Sequence, residues 1–218
     1  MLKNGWRKEI RRRKKQFNFL RFSYFLKFLL LAFLFCSYEV EVKEVVDGDT
    51  FITYSGERVR LIGIDTPEEG RFYYNDSKNA LKDLILGKKV RLEFDIVKKD
   101  VYDRILAYVF YDTLFVNDYM LKNGYSYIYT FPPNLKYFSK FKKSLDLAIK
   151  NKRGMWKNFY EEKEIFIGDP EKMEFHSKDC KEVYKIGDFN RIIFKSSKEA
   201  LLEGFHPHKS CNPVKFFE

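Results

Sequence analysis

Two short stretches of this chain carry residue types suited to phosphoryl chemistry. Asp47, Gly48, Asp49 and Thr50 form the first, and the second runs from Arg60 to Asp65, Thr66, Pro67 and Glu68. Carboxylate oxygens bind hard cations such as Ca²⁺, which takes roughly six to eight oxygen ligands. Charge developing on a phosphate calls for a cation and guanidinium groups. Asp49 and Asp65 each end a short apolar run, where a short side chain can reach a cleft. Thr66 precedes Pro67, which biases its backbone towards an extended conformation and aims its carbonyl at the same ion. Glu68 is placed to activate or orient a water as general base. Arg60 can fork onto two phosphate oxygens. So can Arg104, which follows Asp100, Val101, Tyr102 and Asp103. Asp103, beside it, could orient Arg104 or weaken it. Taken singly, each residue has a plainer explanation: Asp47-Gly48 is a turn dipeptide, and an arginine on a strand is usually a surface ion pair. Their compact combination argues for a site.

The elements that must position these groups follow from periodicity. Val40 to Val46 starts a strand-like region, and Phe51–Tyr54 with Arg58–Ile64 reads as a hairpin around Ser55-Gly56. Ala80, Leu81, Leu84 and Ile85 recur at helical spacing within 75–86, and Gly87 ends that helix. Strands are expected over 90–97 and 105–111, a short helix over 114–122, an extended 125–129, and a longer helix over 134–152 whose apolar face holds Leu135, Phe138, Phe141, Leu145 and Ile149. Five strands with a helix between the third and fourth match the order of an oligonucleotide-binding barrel.

Together these residues resemble the staphylococcal nuclease (thermonuclease) family. The resemblance spans about 38–160 and rests on Val46–Thr50, Arg60–Glu68, Tyr102–Arg104 with Leu106 and Tyr108, Tyr127–Tyr129, Asn134 and Trp156. It implies an α+β, mainly β, fold: a five-stranded OB-fold barrel with about three helices. It also implies a Ca²⁺-dependent phosphodiesterase acting on DNA or RNA, endonucleolytic and leaving 3′-phosphate ends. On that likeness Asp49, Asp65 and the Thr66 carbonyl hold Ca²⁺. Arg60 and Arg104 clamp the phosphate, Glu68 handles the attacking water, and Tyr102, Tyr127 and Tyr129 meet the nucleotide. Val101 stands where the family often has Lys, and Asp103 where it has Gly. The alternative is a weak or inactive nucleic-acid or protein-binding module on the same fold.

Composition places the charge elsewhere. The net charge is +10, but residues 1–27 hold ten Lys or Arg against Glu9, so that segment is +9 and the remainder +1. The basicity belongs to a tail, and substrate capture must rest on local patches. The uncharged run from Phe28 to Cys36 follows it. Basic-then-apolar order within 1–37 reads as a basic N-terminus plus an uncleaved hydrophobic membrane helix, its apolar segment Phe22 to Ser37, with 38–218 outside the cytoplasm, or as a secretion signal if cleaved. A monomer is expected.

Beyond 160, residues 161–172 read as a charged linker containing Gly168-Asp169-Pro170, followed by a small module over 173–218. There His176 and Cys180, then His208 and Cys211, have the residue types and pairing of a closed Zn²⁺ site. The pattern resembles small Ada-like metal-binding modules. His206 is an alternative ligand, and a Cys180–Cys211 disulfide is the rival.

Overall fold

A computed structural model describes residues 38–161 and 163–217. The expected basic N-terminus and membrane or signal helix within 1–37 lie outside the described residues, and no described helix is long and apolar enough to cross a membrane.

The first half of the chain is a closed five-stranded barrel. Its strands are β1 (Tyr38–Val45), β2 (Thr50–Thr53), β3 (Arg58–Leu61), β5 (Lys89–Glu93) and β6 (Ile105–Tyr111), and β4 (Gly63–Asp65) branches off after β3. The order is β3-β2-β1-β5-β6, closed by a parallel β3–β6 pairing. The short β7 (Leu114–Phe115) lengthens the sheet beyond β6. In β1 the buried residues are Val42 and Val45, whose odd spacing would put them on opposite faces of a regular strand. A register shift between Val42 and Glu44 turns both inward.

Among the described residues the α-helices are α1 (Tyr74–Ile85), α2 (Val116–Lys122), α3 (Phe138–Lys150) and α4 (Ser197–Leu202). In α1, Ser77, Leu81 and Ile85 are buried at i, i+4, i+8 spacing, and α3 buries Phe141, Leu145, Ala148 and Ile149. The helix expected over 134–152 starts four residues late because Asn134 has another task. Its carboxamide accepts from the Val97 amide at 2.9 Å and donates to the Val97 carbonyl at 2.8 Å. The same tie explains why the expected strand over 90–97 stops at Glu93. β8 (Tyr127–Tyr129) pairs with β4 and so brings Tyr127 opposite Asp65.

The expected linker over 161–172 is not a linker. Phe166–Asp169 forms β10, entirely buried, in a sheet of order β12-β10-β11-β13 with β11 (Glu174–Ser177), β12 (Ile192–Phe194) and β13 (His206–Pro207). Gly168 looked like a chain breaker, but close packing explains it: a Cβ there would lie 2.7 Å from the Phe194 ring and 3.0 Å from that of Phe205. Phe166, Phe175, Phe194 and Phe205 join the same apolar core as Phe141 and Trp156 of the barrel half. Finally β14 (Lys215–Phe216) returns to pair with β9 (Phe159–Tyr160), so the C-terminal part is tied to the barrel at both ends.

Candidate active site

Alternation along β3 buries Val59 and Leu61 and turns Arg60 away from the core. The loop before β2 folds tightly, the Asp49 amide donating to Asp47 Oδ1 at 3.0 Å. Gly48 presses on the neighbouring loop, where an added Cβ would lie 2.8 Å from Thr66 Cγ2 and from Ser77 Cβ. Any larger residue would push the two acid-bearing loops apart. Asp49 is buried and its oxygens are saturated. Oδ2 accepts from the Thr66 amide at 2.9 Å and the Thr66 hydroxyl at 3.1 Å, while Oδ1 accepts from the Thr50 hydroxyl at 2.9 Å and from Arg60. Arg60 also donates to Asp65 Oδ1. Its guanidinium thus bridges two carboxylates that would otherwise repel each other. Burial opposes ionisation of Asp65, but His206 and then Arg60 overcome it and hold this carboxyl well below the usual range. At Asp47 burial wins over Arg60 and raises the pKa.

Arg104 is held by Asp100. Its Nε donates to Asp100 Oδ2 at 2.6 Å, its amide to Oδ1 at 3.0 Å, and its guanidinium lies 5.5 Å from the Tyr102 ring centroid. Asp103 takes no part in this. Its left-handed backbone (φ 62°) turns the side chain to Lys99, 2.7 Å away.

All these groups line one cleft of about 540 Å³: Asp47, Asp49, Arg60, Asp65, Thr66, Glu68, Tyr102, Arg104 and Tyr129, with Glu174, His206 and Lys209 from the C-terminal part. A more apolar trough of about 630 Å³ shares Arg60, Tyr102, Arg104 and Tyr129 and runs on over Leu106, Phe131 and Pro132. Tyr102, 78% exposed, and Tyr129 therefore stand where the two meet. Tyr127 does not. It shares a strand face with Tyr129, but Trp156 (5.6 Å) and His206 (5.7 Å) close over its ring edge-on. Tyr127 is nearly buried and lines a smaller pocket with Asp65, Thr66, Glu68 and His206.

A family model described as staphylococcal nuclease homologue matches residues 58–158. The thermonuclease of Staphylococcus intermedius is 37% identical over 124 residues, covering 53% of this chain and 74% of that protein. The chain belongs to the staphylococcal nuclease family. The SPbeta prophage-derived endonuclease YokF of Bacillus subtilis is 38% identical over 134 residues. Endonuclease YncB of the same organism is 34% identical over 128 residues. The chain spans 45% of the first and 61% of the second.

Three residues of this nuclease-family cleft escaped sequence reasoning in these roles. Asp100 sits four residues before the arginine it orients, a spacing that could have signalled it. His206, weighed above as a metal ligand, instead donates from Nε2 to Asp65 Oδ2 at 2.6 Å, with both side chains largely buried. Lys209 reaches Glu68, and both are exposed. Burial works against the Lys209 charge, but the bond to Glu68 raises its pKa. No local pattern announces either contact.

The second cluster lies behind this one. His176, Cys180, His208 and Cys211 bring one ligand atom each to within 4.8 Å of one another. Cys211 Sγ is 3.6 Å from His176 Nδ1 and 3.5 Å from His208 Nδ1. Zinc–sulfur and zinc–nitrogen bonds of usual length give tetrahedral edges of about 3.3–3.8 Å, so these two separations suit Zn²⁺. Both cysteines are free thiols, so the alternative disulfide is absent. Burial, helped by Cys180, pushes the Cys211 thiol up to about 12, while burial and His208 lower His176 to about 4. A metal taken up here would meet a neutral imidazole and displace a thiol proton.

Proposed function

We propose that this chain is a Ca²⁺-dependent nuclease that hydrolyses DNA or RNA phosphodiesters endonucleolytically and leaves 3′-phosphate ends. The observation that carries the proposal is the convergence of Asp49, Asp65, Arg60, Glu68 and Arg104 on one cleft. The donor set suits Ca²⁺: hard carboxylate oxygens held close by the Arg60 guanidinium, which the ion would displace from between them. Asp49, Asp65 and the Thr66 carbonyl would hold the ion. Bound there, it would add positive charge beside the scissile phosphate.

The chain's own residues do the rest. Arg60 turns from the carboxylates onto the phosphate, and Arg104, braced by Asp100, takes the opposite oxygens. Glu68 accepts a proton from a water as that water attacks phosphorus. The P–O5′ bond breaks, the alkoxide takes a proton from solvent, and the 3′-phosphate remains. Tyr102 and Tyr129 flank the path into the apolar trough, where a base can stack.

The test is cleavage of single-stranded DNA by the full chain, with Ca²⁺ and with chelator, beside Glu68→Gln and Arg60→Ala. Ca²⁺-dependent cleavage by the parent and at least about 100-fold loss in each variant is expected. Binding without cleavage would instead support the alternative binding module. We also propose a Zn²⁺ in the His176–Cys211 cluster, a monomer, and a membrane-anchored or secreted protein with its nuclease half outside the cytoplasm. The last reading is supported by the order of the basic and apolar runs in 1–37, and cell fractionation with sequencing of the mature N-terminus tests it.

A further inference from the structure

The loop from His206 to Cys211 does two things in six residues. Its ends belong to different sites: His206 touches Asp65 in the cleft, while His208 and Cys211 belong to the metal cluster and bracket Lys209. We propose that this loop is a metal-pinned wall of the nuclease cleft, in which Zn²⁺ fixes the loop, His206 orients Asp65, and Lys209 supplies a third cationic contact for the substrate phosphate. The proposal rests on the nuclease reading above and adds to it a role for the C-terminal part.

The two contacts are held differently, and this assigns their roles. His206 is immobilised. Its amide donates to the Met173 carbonyl at 2.7 Å, the Tyr127 and Tyr129 rings meet it edge-on at 5.7 and 5.3 Å, and it is 7% exposed. Its bond to Asp65 Oδ2 leaves Oδ1 facing Arg60 and the cleft. A fixed donor on the outer oxygen of a ligating carboxylate sets that carboxylate's angle, so His206 is a positioning residue. Lys209 is the opposite case. Its side chain is 62% exposed on a Glu68 that is 56% exposed. Exposed pairs of this kind hold weakly and exchange partners readily. A latch that silenced Glu68 would need burial, which this pair lacks. A phosphodiester entering between Arg60 and Glu68 draws Lys209 off the carboxylate and frees Glu68 for the water.

Pinning matters for the outer half of the loop, His208 to Cys211, which is less buried than the β13 residues His206 and Pro207. The apolar cluster beneath it comprises Ile167, Cys180, Val183 and Ile186, with Cys211 packed on it. Past His206, the His208 amide donates to the Phe175 carbonyl and the Asn212 amide to the His208 carbonyl, each at 3.0 Å, and the Lys209 carbonyl accepts from Arg71 at 3.4 Å. A metal bonded to His176, Cys180, His208 and Cys211 ties the loop to β11.

The experiment uses the full chain and binding measurements, so it does not depend on cleavage. Metal analysis should find one Zn²⁺ per chain, and none would overturn the pinning. Lys209→Ala should weaken binding of a single-stranded oligonucleotide about fivefold and reduce its salt slope by about 0.7, with Lys209→Arg restoring both. Unchanged binding, or a raised kcat indicating a released latch, would overturn the assignment. His206→Ala should weaken Ca²⁺ binding, read by calorimetry, about 10- to 100-fold, with partial rescue in His206→Gln. An unaltered Ca²⁺ affinity sinks the positioning role. Removing Zn²⁺ by chelation, or by Cys211→Ser, should reproduce the Lys209→Ala phenotype and leave Lys209→Ala with no further effect, whereas additive losses would show the loop does not need the metal. If the chain never cleaves but these binding effects appear, the nuclease reading fails and this one stands.

Discussion

The barrel half and the C-terminal part each gather ligands, but they pay for it in different ways. The barrel surrounds a continuous core, with Phe51, Val59, Leu61, Leu92, Ala107, Phe141 and Leu145 at 3% exposure or less. Its carboxylates sit on strand ends and loops that this core already immobilises, so Asp49 and Asp65 can be held together against repulsion by a single guanidinium. The C-terminal part contributes Phe166, Phe175, Phe194 and Phe205 to the same core, yet the segment carrying its ligands rests on four small-to-medium side chains. A preformed core can hold like charges close together, whereas a thin one would need the cluster itself as its fastening. On the proposed function, the same gathering of side chains would serve catalysis in one region and structure in the other.

The contrast can be broken at several points. Phe141→Ala should cost about 3–5 kcal/mol in the barrel, read by denaturant unfolding, because Tyr108, Phe115 and Tyr137 all lean on that ring. A loss below about 1 kcal/mol would mean that the barrel is not core-dominated. Arg60→Ala should lower kcat about 10²- to 10³-fold while leaving Zn²⁺ content unchanged. Zinc loss in that variant would show the two clusters to be one cooperative unit. Chelating Zn²⁺ should open 173–213 to protease while barrel amides stay protected from exchange. Asn134→Ala should cost about 1–2 kcal/mol, because it removes both hydrogen bonds that tie the Val97 backbone to the segment ahead of α3.

The smallest expected effect is a pH dependence. Burial opposes the Glu93 charge, but hydrogen bonds from Lys136 and Tyr137 lower its pKa in the folded state below its ordinary 4.5. A carboxyl depressed on folding contributes stability above its unfolded pKa and loses it as pH falls through the folded one. Stability should therefore decline slightly as pH drops below about 4.5, and Glu93→Gln should flatten that decline. An equal slope in parent and variant would remove Glu93 from the account.

Much of the barrel was legible in the sequence because strand and helix periodicity is local. Buried residues at i+4 spacing in 74–85 and the short apolar run over 105–111 need no tertiary knowledge. Element ends were less legible. Asn134 left the expected helix for Val97, 37 residues away, a choice no local pattern encodes. Gly168 carried the signal of a turn, because a glycine required by a neighbouring aromatic ring looks the same as one required by a bend. Tyr127 illustrates a third limit. Its strand face was readable, but the rings that close over it come from residues 156 and 206.

By itself the sequence determined which chemistry the cleft can host. Asp49, Arg60, Asp65, Glu68 and Arg104 lie within 56 consecutive residues, and their types and order already specify acid, guanidinium and base. Likewise it singled out His176, Cys180, His208 and Cys211 as a candidate metal set, since residue type and pairing are visible in the sequence. Only the tertiary structure decided that these two sites are neighbours. Lys209 meets Glu68 across 141 residues, and His206 meets Asp65 across a similar span. Contacts of that separation are set by how β13 docks beside β11 and β8, through shared core packing and backbone pairing. Hydrophobic burial and backbone pairing choose which surfaces meet, and the polar residues on those surfaces find their partners only afterwards.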